Sequence, residues 1–253
     1  RTFWRPAVKI REDWSFPDAV DATRVELIRA TKLRMRADVP IAFCMSGGVD
    51  SNSIIAIARR ILGHEVHGFT IVNRDPRYDE RELVSHSVRS LGIQHTEVQL
   101  DHHGFLEKLS AQIAQHDGPV STISYFIHRE LLSEISQRGY KVSISGTGAD
   151  ELFTGYFDHS NMYLYEVSRD SVLFPKELGY WEKYQSKYVR NPYLKDPELF
   201  IKNPSFREHI YLNIDELRSW MRRPWTEAFS EKDFGASLLR NRMLNEMFHE
   251  SVP

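Results

Sequence analysis

Ile41-Ala42-Phe43-Cys44-Met45-Ser46-Gly47-Gly48-Val49-Asp50-Ser51 is an apolar run that breaks into a small, polar, glycine-containing turn and then enters a helix. Ile41 to Met45 is apolar on both faces, which suits a short strand buried in a parallel sheet better than one half exposed to water. From Asn52 to Arg60 the small and aliphatic residues read as a packed helix, ended by Gly63. Gly47 and Gly48 carry no side chain, so backbone N–H groups of the turn can approach a ligand closely. At a helix N-terminus, unpaired N–H groups and the dipole favour an anion. Asp50 would repel a bare phosphate, and a magnesium ion between them removes the conflict, because carboxylate and phosphate oxygens are its preferred ligands. The local reading is a metal-assisted phosphate or pyrophosphate cradle. It is neither a GxxxxGKS/T loop nor a GxGxxG fingerprint, since the chain has neither in the required place. The same six residues also read as a Gly-Gly turn capped by Ser46 or Ser51.

The chain has 253 residues, 41% of them hydrophobic, enough for a sizeable core, and a formal net charge of −2. That charge gives no electrostatic reason to expect a nucleic acid, and no apolar run has the length needed to cross a bilayer. The lone Cys44 cannot form an internal disulfide, and with no signal-peptide pattern the expected location is cytoplasmic. Inside a strand, Cys44 is expected to be a buried structural thiol rather than a nucleophile.

Working outward, Phe16-Pro17-Asp18 reads as a turn and Val20 to Met35 as an amphipathic helix with Val25, Ile28 and Leu33 on its apolar stripe. Strands are predicted at Val66 to Val72 and near His95 to Leu100, with a helix from Asp79 to Ser90 between them and Gly92 after its end. Phe105 to Gln115 and Ser124 to Gln137 both look helical, joined by the small polar connector Asp117 to Thr122. This alternation is the pattern of βαβ units and a parallel sheet, whose ligands bind beyond the carboxyl ends of the strands. His95, His102, His103 and His116 fit no standard zinc spacing. From Phe157 onward no strand alternation persists, and four prolines break the chain into a mostly helical subdomain with a helix from Gly235 to His249. Arg218, Trp220, Arg222, Arg223 and Trp225 read as an ordinary helix face with Arg stacking on Trp rather than a nucleic-acid patch.

Ser46 to Ser51 resembles the SGGxDS pyrophosphate loop of the PP-loop ATP pyrophosphatases, and specifically of the synthetase domain of asparagine synthetases. Lys141-Val142-Ser143-Ile144-Ser145-Gly146-Thr147-Gly148-Ala149-Asp150-Glu151-Leu152-Phe153-Thr154-Gly155-Tyr156 is similar to that family's SGEGxDELFxGY. The likeness runs from about Trp4 to the end of the chain. It implies an α/β fold, a parallel sheet with helices on both faces, followed by a mostly helical subdomain. The implied divisions are a lead-in at 1–36, an ATP-binding core at 37–156 and a helical continuation at 157–253. It also implies a fragment that lacks an N-terminal glutaminase domain and stops before a later segment carrying a catalytic Lys.

The activity implied is amide-bond formation from a small-molecule carboxylate through an acyl-adenylate, with ammonia as the second nucleophile. Ser46, Gly47, Gly48 and Ser51 would hold the leaving pyrophosphate, and Asp50 and Asp150 would coordinate Mg2+ beside ATP. Cys44, Ile71, Ser145 and Gly146 would bound the nucleotide. Asp150 also reads as a helix N-cap. Thr147 departs from the family's Glu, a carboxylate placed to handle a proton on the amine or to orient the acceptor; a hydroxyl is no base near neutral pH. Two other readings stay open at this stage, a tRNA-modifying PP-loop enzyme and a nucleotide-binding protein impaired in catalysis.

Overall fold

The computed structural model describes residues 11, 13–73, 75–100, 103–120, 122–211, 214–223 and 230–250, so Arg1–Pro6, His102, Ser121 and Trp225 lie outside the described residues. The chain divides into two compact units between Thr147 and Gly148.

The first unit is built on four parallel strands, β1 (Ile41–Cys44), β2 (His67–Val72), β3 (Gln94–Gln99) and β4 (Val142–Ile144), in the order β3-β2-β1-β4. Phe43 pairs with Gly68 on one side and with Ile144 on the other. Side chains alternate across the sheet, and both faces are covered. Phe43 and Met45 pack on one face with Ile55, Ala58 and Val84, which belong to α2 (Val49–Ala56), the π-helical turn Ile57–Ile61 and α3 (Arg81–Leu91). Ala42 and Phe69 point the other way, against Leu131 and Ile135 of α5 (Ile123–Gln137). The sheet grows outward from β1 through β2 to β3. The chain then returns through α4 (Phe105–His116) and α5 to lay β4 on the opposite side of β1. This reversal of order puts a crevice at the carboxyl ends of β1 and β4, where open α/β sheets bind their ligands.

Two expectations in this unit are corrected. Phe16-Pro17-Asp18 is not a turn but the first turn of α1 (Phe16–Arg34): Ser15 caps it, its N–H donating to Asp18 Oδ2 at 3.0 Å while Asp18 N–H donates back to Ser15 Oγ. Proline near a helix start costs no hydrogen bond, which is why Pro17 is tolerated there. Nor do Val25 and Leu33 form a buried stripe; they are 62% and 45% exposed, and Met35, just past the helix, makes the core contact instead. The predicted helix after the glycine turn loosens into the π-helical turn before it ends.

The second unit comprises α6 (Ala149–Phe153), α7 (Phe157–Val167), α8 (Leu173–Tyr180), α9 (Leu199–Lys202), α10 (Ile214–Trp220) and α11 (Leu238–Asn245), joined by short 3-10 and π-helical turns. Its core is Met162, Leu164, Trp181, Val189, Leu194 and Phe200. Asn161, fully buried, accepts the Trp181 indole N–H at 2.9 Å and donates to the carbonyls of Leu194 and Asp196. The expected helix from Gly235 starts later, at Leu238, because Gly235 has φ 68° and Ser237 is extended. A buried ionic cluster closes this end of the chain: Arg242 donates to Glu246 at 2.9 Å and also pairs with Glu231 and Glu250. Burial works against the Arg242 charge, but the three carboxylates outweigh it and raise its pKa. Asp158, His159 and Glu246 bring metal-ligand-type atoms within 4.8 Å of one another, but Arg242, a cation from the chain itself, already holds Glu246. Arg218 pairs with Glu208 and Asp215 on its own surface. Among the described residues no helix is long and apolar enough to cross a membrane.

Candidate functional site

The turn after β1 is held by its own side chains. Ser46 N–H donates to Ser51 Oγ at 3.2 Å, Gly48 N–H donates to Ser46 Oγ at 3.1 Å, and the two hydroxyls lie 3.0 Å apart. Asn52 Nδ2 donates to the carbonyls of Ser46 at 2.9 Å and Gly48 at 2.7 Å. Ser51 is buried, whereas Asp50, in the first turn of α2, is exposed. Gly47 N–H donates to a carboxylate oxygen of Glu80 at 2.9 Å. An anionic oxygen therefore already sits on one of the N–H groups that the sequence offers to a phosphate.

The turn after β4 lies beside this one. A Cβ on Gly146 would stand 2.7 Å from the Ser51 backbone nitrogen and 3.0 Å from Asp50 Cβ. Glycine is required there by backbone approaching backbone. Ser145 Oγ donates to Thr147 Oγ1 at 3.0 Å, and Thr147 is exposed. Cys44 and Ile71 are half-buried near the ends of β1 and β2 and pack against the α5 side of the sheet. Burial pushes the Cys44 thiol up, with a hydrogen bond to Ser143 acting in the opposite sense, so the group is a neutral thiol near pH 7. Beneath the crevice, Thr70 Oγ1 donates to the Met45 carbonyl at 2.8 Å and His95 Nε2, near the start of β3, lies 3.0 Å from the same hydroxyl, tying β1, β2 and β3 together.

Asp150 belongs to the second unit, in the first turn of α6. Its carboxylate lies where a Gly155 side chain would be, since a Cβ there would come within 1.6 Å of Asp150 Oδ1. Glu151 is buried and accepts the Tyr156 hydroxyl at 2.9 Å. Burial first, then the Glu151 hydrogen bond and the charges of Glu151, Asp150 and Glu246, hold that phenol from ionising. Gly148, at φ 93° before α6, is the N-cap, so Asp150 is not.

The sequence profile of the asparagine synthase family matches residues 22–243. The chain belongs to that family. Among its relatives, asparagine synthetase (glutamine-hydrolyzing) 1 of Bacillus subtilis is 26% identical over 141 residues, 54% of this chain and 21% of that protein. The amidase chyE of Penicillium rubens is 28% identical over 153 residues, 55% of this chain and 23% of its own length. GMP synthase (glutamine-hydrolyzing) of Aquifex aeolicus is 36% identical over 101 residues, 40% and 19% of the two chains. The chain spans about a third or less of the length of these curated relatives.

Within this asparagine synthase domain the first unit brings together Ser46, Gly47, Gly48, Asp50, Ser51, Ser145, Gly146 and Thr147 at adjoining turns. The sequence reading missed Glu80 and Asn52. Asn52 had a local signal, an amide one residue past the SGGVDS run and able to reach back to open carbonyls. Glu80 had none, because its 33-residue separation from Gly47 is closed only in the fold, where Val84 packs under the sheet and Leu83 against the turn.

Proposed function

We propose that this domain binds ATP and activates a carboxylate as its adenylate, and that the whole protein passes the acyl group to an amine. The observation that carries the proposal is the pairing of the SGGVDS and SGTG turns at the order reversal between β1 and β4, fixed by Gly146 against Asp50 and Ser51. Ser46, Gly47, Gly48 and Ser51 hold the pyrophosphate as it leaves, by N–H and hydroxyl hydrogen bonds; Asn52 braces the turn, and the ligand displaces Glu80 from Gly47 and the serine hydroxyls from the Ser46 and Gly48 N–H groups. The exposed Asp50 carboxylate fits a hard cation, and the Gly47 N–H accommodates an anionic oxygen, as Glu80 demonstrates. Asp50 would hold Mg2+, which when bound neutralises charge on the leaving group. Ser145, Gly146, Cys44 and Ile71 bound the nucleotide. Ammonia, delivered by a glutaminase elsewhere in the protein as the glutamine-hydrolyzing relatives suggest, attacks the adenylate carbonyl and displaces AMP.

Incubation of the intact protein with ATP, Mg2+, ammonia and a panel of carboxylates should release pyrophosphate and AMP; release of ADP instead overturns the reading. Thr147 motivates a second reading. Its hydroxyl accepts from Ser145 and supplies no base where asparagine synthetases have Glu. ATP binding with no pyrophosphate release under any carboxylate favours a nucleotide-binding role without catalysis.

A further inference from the structure

The helical unit contains a cavity of about 400 Å³ that the phosphate chemistry leaves unused. The volume lies in the range of small-molecule sites. Its walls are Tyr163 of α7 and Tyr180 and Trp181 at the end of α8, with Glu177 one helical turn before Trp181. His159 lies at its base, fully buried. Glu246 Oε2 is 2.8 Å from His159 Nε2, and Arg242 fixes the other Glu246 oxygen. In the neutral tautomer that donates Nε2–H to Glu246, His159 Nδ1 is a lone-pair acceptor, and among the described residues nothing donates to it. Gln185, which also lines the cavity, carries a second buried acceptor, Oε1, without a donor among the described residues. Buried acceptors left unmet are costly and rare, so two at one cavity call for a donor-rich partner.

We infer that this cavity binds an organic ammonium ligand, a primary amine on a short apolar or aromatic body. Glu177 supplies the counter-charge, His159 Nδ1 and Gln185 Oε1 take N–H groups, and the rings of Tyr163, Tyr180 and Trp181 face the apolar body and the cation. Among the described residues no Lys or Arg lines the cavity. The Tyr180 ring already draws a cation from the chain, with Lys176 Nζ 5.8 Å from its centroid. The Tyr163 phenol is held from ionising by burial and then by the charges of Glu177 and Glu166, which marks the surroundings as negative. The inference is independent of the ATP reading, because every residue it uses lies outside the phosphate turns.

The test is calorimetric titration of the intact protein, without nucleotide, with benzylamine, benzyl alcohol and benzoate as probes. Benzylammonium should bind at least about tenfold more tightly than benzyl alcohol, a difference of ~1.4 kcal/mol, and benzoate should not bind. Glu177→Gln, on a partly exposed helix face, should weaken benzylammonium about tenfold and leave benzyl alcohol unchanged. Tyr163→Phe should leave both unchanged, and Tyr163→Ala should weaken both. Equal binding of the three probes, or a benzylammonium affinity indifferent to Glu177→Gln, overturns the assignment. So does the absence of any benzylammonium binding. Each readout is separate from ATP turnover, so failure here leaves the adenylation reading untouched, and the reverse also holds.

Discussion

Gly146→Ala tests the join between the two phosphate turns. The added methyl would lie 2.7 Å from the Ser51 backbone nitrogen, 3.0 Å from Asp50 Cβ and 3.1 Å from the Asp50 carbonyl carbon, where ordinary contact begins at 3.4 Å. Something must shift by about 0.7 Å, the difference between 3.4 and 2.7 Å. The obstructing atoms are mostly backbone at the start of α2, so no rotamer change relieves the clash. Overpacking of this kind costs about 1–3 kcal/mol, and a backbone partner argues for the upper half of that range. For a chain of this size ~2–3 kcal/mol corresponds to roughly 4–12 °C in Tm. The same displacement moves the Asp50 and Ser51 ligand groups, and misplacement of a site by ~1 Å can cost on the order of a hundredfold in function. Scanning calorimetry and titration with Mg2+ and pyrophosphate should therefore show a lower Tm and an affinity at least about tenfold weaker, ~1.4 kcal/mol. Gly48→Ala is a control for the Tm alone, because its methyl meets only the Ser46 hydroxyl at 3.2 Å, which can rotate away, although doing so gives up the bond from Gly48 N–H and loosens the turn. Gly148→Ala is a second control: it meets nothing within 4 Å and carries only the strain of φ 93°, about 1–2 kcal/mol. A Gly146→Ala protein that melts and binds as the parent does would refute the argument that the two turns share one packed floor.

Asp50→Asn should leave the Tm within about 1 °C, the residue being exposed, and abolish Mg2+-dependent ATP binding; unchanged ATP affinity would mean the SGGVDS turn is misread. Glu80→Ala removes the carboxylate that occupies the Gly47 N–H, so pyrophosphate should bind several-fold more tightly; weaker binding would show that Glu80 shapes the turn rather than competing for it. His67 stands between the Tyr140 and Thr96 hydroxyls at 2.8 Å each, and burial, then the charges of Arg138 and His95, lower its pKa from 6.5. The unfolded chain therefore takes up the proton first. Stability from this group is complete above about pH 6.5 and is lost as pH falls towards the folded pKa. Urea midpoints at about pH 7.5 and about pH 5.5 should differ, and His67→Gln should reduce the difference; an unaltered slope would place the titration elsewhere.

Most of the first unit was legible because its strands lie between regular helices and their apolar runs are short. Ile41 to Met45 buries both faces, and Gly92 ends α3 in a left-handed cap at φ 59°. What failed was local competition. Pro17 reads as a turn residue until the Ser15–Asp18 capping box is seen to use it, and the apolar spacing of α1 carries no information about which of its residues have a neighbour to pack on. The later helices were harder. Gly235 looks like the start of α11, but its positive φ delays the helix to Leu238. The buried Arg242 cluster is invisible in sequence because its acids come from positions 231, 246 and 250, only one of which has the i,i+4 spacing a helix face reveals.

The glycines of the two motifs carry a further lesson about why such loops are spelled as they are. Gly47 is required where a Cβ would meet Leu83 at 3.0 Å, Gly146 where it would meet the Asp50–Ser51 backbone, and Gly155 where it would occupy the Asp150 carboxylate's place. In each of the three the nearest obstruction is a part of the same unit. The usual argument, that glycine lets a phosphate come close, is thus incomplete here. Glycine first lets the protein come close to itself, which fixes the N–H groups and carboxylates before anything binds. A site ordered in advance has less conformational entropy to lose on binding, so the Asn52 hydrogen bonds to the Ser46 and Gly48 carbonyls contribute to affinity without touching the ligand.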